Sequence, residues 1–125
     1  MKYLQYSDGD KNTFLISERA IPNYEMAAEM HYISGYFSEN SDNQVETLGD
    51  ISAVTVPYAN LKTIKELSRD EFISFAVPKI LKKWREFVIK MENQEAFMIP
   101  SSYVQSRKLV MTILNLDHAG FRAII

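Results

Sequence analysis

The stretch from Ser68 to Met91 constrains the fold most, because it predicts a long amphipathic helix. Ser68 and Glu71 have the spacing of a capping box, in which each side chain binds the other residue's free backbone N–H group. Apolar residues then recur every three or four positions, at Ile80, Leu81, Trp84, Phe87, Val88 and Met91. Pro78 either kinks this helix or begins a second helix at its first position. The apolar side of the helix must pack on a sheet or on another helix.

Strands are predicted at both ends of the chain and in its middle. Residues 2–7 and 13–17 lie on either side of an Asp-Gly turn, and they predict a hairpin with a loop of several residues. Residues 50–57 contain a β-branched run that ends at a proline, which predicts a further strand. Phe97–His118 has two apolar runs around a polar turn, which predict a strand, a loop carrying hydroxyl groups, a second strand and a polar cluster.

A first helix is predicted to begin at Pro22-Asn23, with Asn23 as its N-cap residue. An apolar stripe at helical spacing follows, at Met26, Met30, Ile33 and Phe37. Gly35 is expected to mark the end of this helix. Together these elements predict a single α+β domain over residues 1–125, with a small mixed or antiparallel sheet and two helical regions.

The composition excludes several kinds of chemistry. The chain has no cysteine, which excludes disulfides, thiolate metal ligands and cysteine nucleophiles. It has two histidines, too few for a histidine-based zinc site, and no metal site is predicted. The first residues do not have the pattern of a signal peptide, and no apolar window is long enough to cross a membrane. We therefore expect a cytoplasmic protein.

Charge is unevenly distributed along the chain. Residues 1–60 have a net charge of −6 and residues 61–125 a net charge of +4. The basic half either meets an anionic ligand such as a nucleotide or is a lysine-rich helix surface in solvent. The total of −2 does not resemble the charge of a nucleic-acid-binding protein. The four glycines are isolated from each other, so no phosphate-binding loop is predicted.

Two segments resemble the end of RES domains, namely IPSSYV and LVMTILNLDHAGF, in which a Pro-Ser pair precedes a run ending in Asn and a His-containing tail. Upstream segments are similar to the family's strand and its tryptophan-bearing helix: DISAVTVPYANLKTIKEL and PKILKKWREFV. The resemblance covers residues 50–121. More loosely, YEMAAEMH is similar to the helix that carries the family glutamate. The family has an ADP-ribosyltransferase-like α+β fold, and its members are toxins of bacterial toxin–antitoxin pairs.

The resemblance implies an NAD-consuming protein that cleaves the bond between nicotinamide and ribose. It matches Glu29 to the catalytic glutamate, Ser101 to the serine near the ligand and Asn115 to the asparagine that binds the dinucleotide. NAD is then a substrate, and no prosthetic group is expected. A carboxylate near the ribose would stabilise the positive charge that builds there. An antitoxin protein is the implied partner.

Two alternatives remain open. Nothing near the start of the chain matches the family's N-terminal arginine segment. This departure favours a catalytically silent protein on the same scaffold, which binds a protein partner through a surface containing Tyr and Met. The second alternative is an unrelated α+β domain that acts as a protein-binding module. Whether the chain is an enzyme therefore stays undecided from the sequence.

Overall fold

One antiparallel sheet with helices on both of its faces makes up the described part of the chain. The structure, a computed structural model, describes residues 1–40, 45–93 and 96–125, apart from the side chains of Leu48, Ser101 and Ser102. The strands are β1 (Lys2–Asp8), β2 (Lys11–Asn23), β3 (Ala28–Ser38), β4 (Glu46–Leu48), β5 (Ile51–Pro57) and β6 (Lys65–Leu67). The helices are α1 (Tyr58–Leu61), α2 (Arg69–Glu92), α3 (Ser101–Ile113) and α4 (His118–Ile124). The predicted α+β class is confirmed.

The strands follow the order β4-β5-β3-β2-β1-β6, and every neighbouring pair is antiparallel. The predicted hairpin at the start of the chain is confirmed, but its turn is shorter than expected. Asp8 pairs with Lys11, so Gly9 and Asp10 alone form the turn, and Gly9 has a φ of +64° that favours glycine. The predicted strand over residues 50–57 is also confirmed, as β5. After β5 the chain crosses the sheet through α1, and β6 joins the opposite edge.

One side of the sheet, the helical face, packs against α2 and α3. The larger core cluster lies there, and its sheet residues are Phe14, Ile16 and Phe37. The capping box is confirmed: the Glu71 N–H donates to Ser68 Oγ at 3.2 Å, and the Ser68 N–H donates to the Glu71 carboxylate at 3.2 Å. Helix α2 continues through residue 78, so a second helix does not begin at the proline. No helix in the described ranges is long and apolar enough to span a membrane.

The other side of the sheet, the crossover face, carries a smaller core cluster. Its buried members are Leu4, Tyr6, Leu15, Ile33, Tyr36, Val54 and Val56. Leu61 and Ile64, from the segment that connects β5 to β6, pack against this cluster. The middle of the sheet is therefore apolar on both faces, so its strands do not show a simple alternation of apolar and polar residues in the sequence.

The helix predicted from Pro22-Asn23 is wrong, because this stretch is the end of β2, a turn and the start of β3. Asn23 does not cap a helix, and its side chain instead accepts a hydrogen bond of 3.4 Å from the Met26 N–H within the turn. Strand β3 is apolar on both sides, since both faces of the sheet are covered. One extra residue, Ser34, also shifts its alternation by one position. Together these two features place apolar residues at the spacing that is typical of a helix.

The two strands predicted in Phe97–His118 are also wrong, because residues 101–113 form helix α3. The buried residues of this helix follow a helical spacing of three or four positions: Ser106, Leu109, Val110 and Ile113. The β-branched residues near its end and the Pro-Ser pair at its start favoured a strand in the sequence. Packing of the apolar side of α3 on the sheet outweighs that local preference.

Gly35 lies inside β3, where its lack of a side chain allows α3 to approach the sheet closely. The prediction that it ends a helix is wrong. A methyl group added at Gly35 would lie 2.9 Å from the backbone nitrogen of Leu109 and closer still to its Cα atom. Leu109 is fully buried against this position. Glycine is therefore required at this crossing of helix and strand.

Replacing Gly35 by alanine is expected to lower the free energy of unfolding by about 3 kcal/mol, because the new methyl group overlaps helix backbone and forces α3 away from the sheet. Urea unfolding monitored by circular dichroism measures the change. Gly9→Asn is the matched control, since a side chain at Gly9 meets open space and asparagine tolerates a positive φ. An unfolding midpoint for Gly35→Ala equal to that of the wild type would contradict the packing described above.

Candidate functional site

A polar cleft lies on the crossover face of the sheet, and we call it the His31 cleft. Its volume is about 490 Å³. Strands β1, β2 and β3 provide most of its lining, with Ile64 from the connecting segment and Glu66 from β6. Its other polar lining residues are Lys2, Ser17, Glu18, Arg19, Glu29 and His31. Acidic, basic and hydroxyl groups thus share one concave surface of a size that suits a small ligand.

His31 is the buried titratable group of this cleft, with 4% of the residue exposed. Its Nδ1 atom lies 3.2 Å from Ser17 Oγ, and its Nε2 atom lies 3.1 Å from Glu29 Oε2. Nε2 is buried, and the Glu29 carboxylate is its charged neighbour among the described residues. The imidazole is held between a hydroxyl group and a carboxylate.

A pair of bulges in β2 and β3 aims these side chains into the cleft. Ser17 pairs with Ile33 between two register shifts, which leave Glu18 and Ser34 as one extra residue in each strand. The Ser34 hydroxyl donates a hydrogen bond to the Glu18 carboxylate. Each extra residue reverses the alternation of its strand, so His31 faces the crossover side instead of helix α3. Bulges are frequent next to active sites for this reason.

Burial lowers the pKa of His31 below its ordinary value of 6.5, the Glu29 carboxylate partly offsets this by raising it, and the Lys2 ammonium lowers it again. The ring is therefore neutral at pH 7 and carries one proton. The neighbouring carboxylate favours that proton on Nε2, since the alternative turns a nitrogen lone pair toward a negative charge. Nδ1 then accepts the hydrogen bond from the Ser17 hydroxyl.

The cluster connects a hydroxyl, an imidazole and a carboxylate in the order found in catalytic triads. The roles of the two ring nitrogens are reversed relative to such triads. In a triad the hydroxyl contacts Nε2, whereas in this cluster Ser17 contacts Nδ1. The neutral His31 ring can accept a proton from Ser17 or from a bound water, and Glu29 can stabilise the cation that forms. The Arg19 carbonyl lies 3.3 Å from Ser17 Oγ and competes for the hydroxyl proton.

A metal site has little support in the described part of the chain. No group of three or more histidine, aspartate or glutamate side chains converges there in a geometry that would hold an ion. The His31–Glu29 pair offers two donor groups, and Ser17 and Lys2 complete its surroundings with groups that suit a polar organic ligand better than a metal.

The predicted site residues are distributed over different parts of the structure. Glu29 lines the His31 cleft, although it lies on β3 rather than on a helix. Asn115 is exposed just after α3, with a φ of +52°, beyond the helical face. Ser101 is the first residue of α3, and its side chain lies outside the described part of the structure. The structure thus does not bring Asn115 to the cleft that contains Glu29.

Ser17 and His31 were missed from the sequence. The signal was the Glu-x-His pair at positions 29 and 31, because residues two apart in a strand point to the same side. That signal has meaning only once β3 is recognised as a strand. Ser17 is fourteen residues away and becomes a neighbour only through the bulged register of β2 and β3.

Comparisons of the chain with protein-family models, with curated proteins and with solved structures find no match. The function must therefore be inferred from the chemistry of the cleft, and the similarity to RES domains stays a prediction from the sequence.

Acidification below pH 6.5 is expected to destabilise the protein through His31. A lowered pKa in the folded state means that the unfolded chain binds the proton more readily. The contribution of the neutral His31 ring to the free energy of unfolding is therefore complete above about pH 6.5. It is lost as the pH falls toward the folded-state pKa. Urea unfolding at pH 7.5 and at pH 5.5 measures this loss.

Two variants separate His31 from other titrating groups. His31→Gln removes the titration, and its stability should fall less between the two pH values than that of the wild type. His118→Gln makes the same change at an exposed histidine and is the matched control. Equal pH dependence in the wild type and in His31→Gln would contradict the neutral, buried state of the ring.

Proposed function

We propose that the protein acts on a small polar molecule bound in the His31 cleft, with His31 as the acid–base group and Glu29 as the charge-stabilising carboxylate. The observation that supports this is the buried imidazole between the Ser17 hydroxyl and the Glu29 carboxylate. Burying an imidazole between a hydroxyl and a carboxylate costs free energy of desolvation, and such groups are often found where acid–base chemistry occurs. Nε2 is buried against the Glu29 carboxylate, and the Glu29 side chain, 31% exposed, presents the pair to a ligand in the cleft.

The bond that the family resemblance names is the one between nicotinamide and ribose in NAD. In the proposed reaction nicotinamide leaves with the bonding electron pair, and water adds to the ribose carbon. The water gives a proton to the Ser17 hydroxyl, which passes its own proton to His31 Nδ1, while the Glu29 carboxylate stabilises the positive charge on the ribose. The products are nicotinamide and ADP-ribose. Asn115 has no part in this version, because it lies beyond the other face of the sheet.

The RES-type version of the proposal adds a biological setting, which rests on the sequence resemblance alone. The protein would be a cytoplasmic bacterial toxin with an ADP-ribosyltransferase-like fold, and its partner would be an antitoxin protein. NAD cleavage in the His31 cleft can be tested separately from the toxin role, because a cleft that binds and cleaves NAD does not require an antitoxin partner.

Nicotinamide release from NAD by the purified protein tests the proposal. Glu29→Gln and His31→Gln are each expected to lower the rate by roughly 100-fold or more, which is typical of losing an acid–base or charge-stabilising group. Glu25→Gln is the matched control, because Glu25 is exposed in the turn next to β3 and should keep the wild-type rate. Melting temperatures of all variants show whether a loss of rate is a loss of folding.

Ser101→Ala distinguishes the two catalytic hypotheses. It should keep the wild-type rate if the reaction occurs in the His31 cleft, and it should lose the rate if the family assignment of this serine holds. Absence of turnover together with absence of an NAD-dependent rise in melting temperature would contradict the enzymatic proposal.

The second candidate function is binding of a protein partner, and the end of the β2–β3 hairpin favours it. Ile21, Tyr24 and Met26 are exposed there, and Tyr24 is 83% exposed. The Tyr58 N–H donates to the Ala27 carbonyl at 3.0 Å, which adds a further exposed tyrosine to the same end of the sheet. Exposed aromatic and methionine side chains are enriched where proteins bind each other. A protein that neither cleaves nor binds NAD would make this candidate the stronger one.

A further inference from the structure

A second and larger cavity lies among the helices, beyond the helical face of the sheet. This helical groove has a volume of about 840 Å³, and α2, α3 and α4 contribute to its lining. The buried rings of Trp84 and Phe121 meet there edge to face, with their centres 5.6 Å apart. Val88 and Met91 of α2 and Ile99 before α3 add aliphatic surface. The size and the apolar lining fit a small-molecule site.

The charges in the helical groove favour an anion. Arg107 of α3 and Arg122 of α4 both line it, and Glu92 is the one acidic side chain among its described lining residues. The Arg107 guanidinium carbon lies 5.7 Å from the centre of the Trp84 ring, so this cation is held over an aromatic surface. Neither arginine is within ion-pair distance of a carboxylate in the described residues. Two guanidinium groups without a carboxylate partner among the described residues therefore border an apolar cavity.

We propose that the helical groove binds an aliphatic carboxylate of medium chain length. The chain would lie on Trp84, Val88 and Met91, and the carboxylate would meet the guanidinium groups of Arg107 and Arg122. A guanidinium group presents parallel N–H donors that match the two oxygens of a carboxylate, and it is less strongly hydrated than an ammonium group. The apolar part contributes binding because it removes hydrocarbon surface from water. This site is independent of the proposed reaction in the His31 cleft.

The chain contains its own reporter for this site, because Trp84 is its single tryptophan. Decanoate, titrated below its micelle concentration into the full chain, should change the Trp84 emission in a saturable way. Decanol has the same chain length without the charge, and butyrate has the charge with a short chain. Both should bind at least roughly tenfold more weakly than decanoate, since each lacks one of the two interactions.

Substitutions of the cations test the position of the carboxylate. Arg107→Gln and Arg122→Gln should each weaken decanoate binding by about tenfold, which corresponds to losing one charged hydrogen bond. Arg19→Gln is the matched control, because Arg19 stacks on Tyr32 at 4.4 Å and does not line the helical groove. His31→Gln should also bind decanoate normally, so failure of the His31 proposal and failure of this one are distinguishable.

Four outcomes would overturn the proposal. Equal affinity for decanol and decanoate would mean that the helical groove is a non-specific apolar surface. Unchanged decanoate affinity in both arginine variants would place the carboxylate elsewhere. Absence of a saturable fluorescence change, together with absence of a decanoate-dependent rise in melting temperature, would exclude binding altogether. Stronger competition by inorganic phosphate than by acetate would exclude the carboxylate as the preferred anion.

Discussion

The close contact between Gly35 of β3 and Leu109 of α3 is the constraint on which the rest of the structure depends. It fixes helix α3 on the helical face at a distance that no side chain at Gly35 would allow. The preceding residue, Ser34, is the extra residue of the bulge in β3, and Thr112 of α3 donates a hydrogen bond to its carbonyl at 3.4 Å. On the N-terminal side of Ser34 the alternation of β3 is reversed. The same short segment therefore seats the helix and turns His31 and Glu29 toward the opposite face.

The sheet separates two sites of different chemistry. Strand side chains form the His31 cleft on the crossover face, where polar groups lie next to a small apolar cluster. Helix side chains form the helical groove on the other side, where aromatic and aliphatic groups lie next to two arginines. The hydrogen bond of 3.0 Å from Trp84 Nε1 to the buried Ser106 hydroxyl ties α2 to α3 under the helical groove. The proposed reaction and the proposed carboxylate site thus lie on opposite sides of one sheet.

Local signals in the sequence predicted the elements that depend on neighbouring residues. The capping box at Ser68 and Glu71, the glycine turn of the first hairpin and strand β5 were correct, and so was the α+β class. The errors concern elements whose environment is set by distant parts of the chain. Strand β3 is apolar on both faces and bulged, so its sequence pattern predicted a helix. Helix α3 is rich in β-branched residues, so its sequence pattern predicted two strands.

The candidate site shows the same limit. The family resemblance predicts Glu29 as a site residue, and Glu29 lines a polar cleft, although on a strand. His31 and Ser17 acquire their meaning from strand pairing, which residue types and spacing do not encode by themselves. A direct measurement of the His31 ring, by long-range ¹H–¹⁵N NMR across a pH titration, tests the central claim. We expect a neutral ring at pH 7 with its proton on Nε2 and a pKa below 6.5. A proton on Nδ1, or a pKa above 6.5, would contradict the contacts with Ser17 and Glu29 on which the proposed function rests.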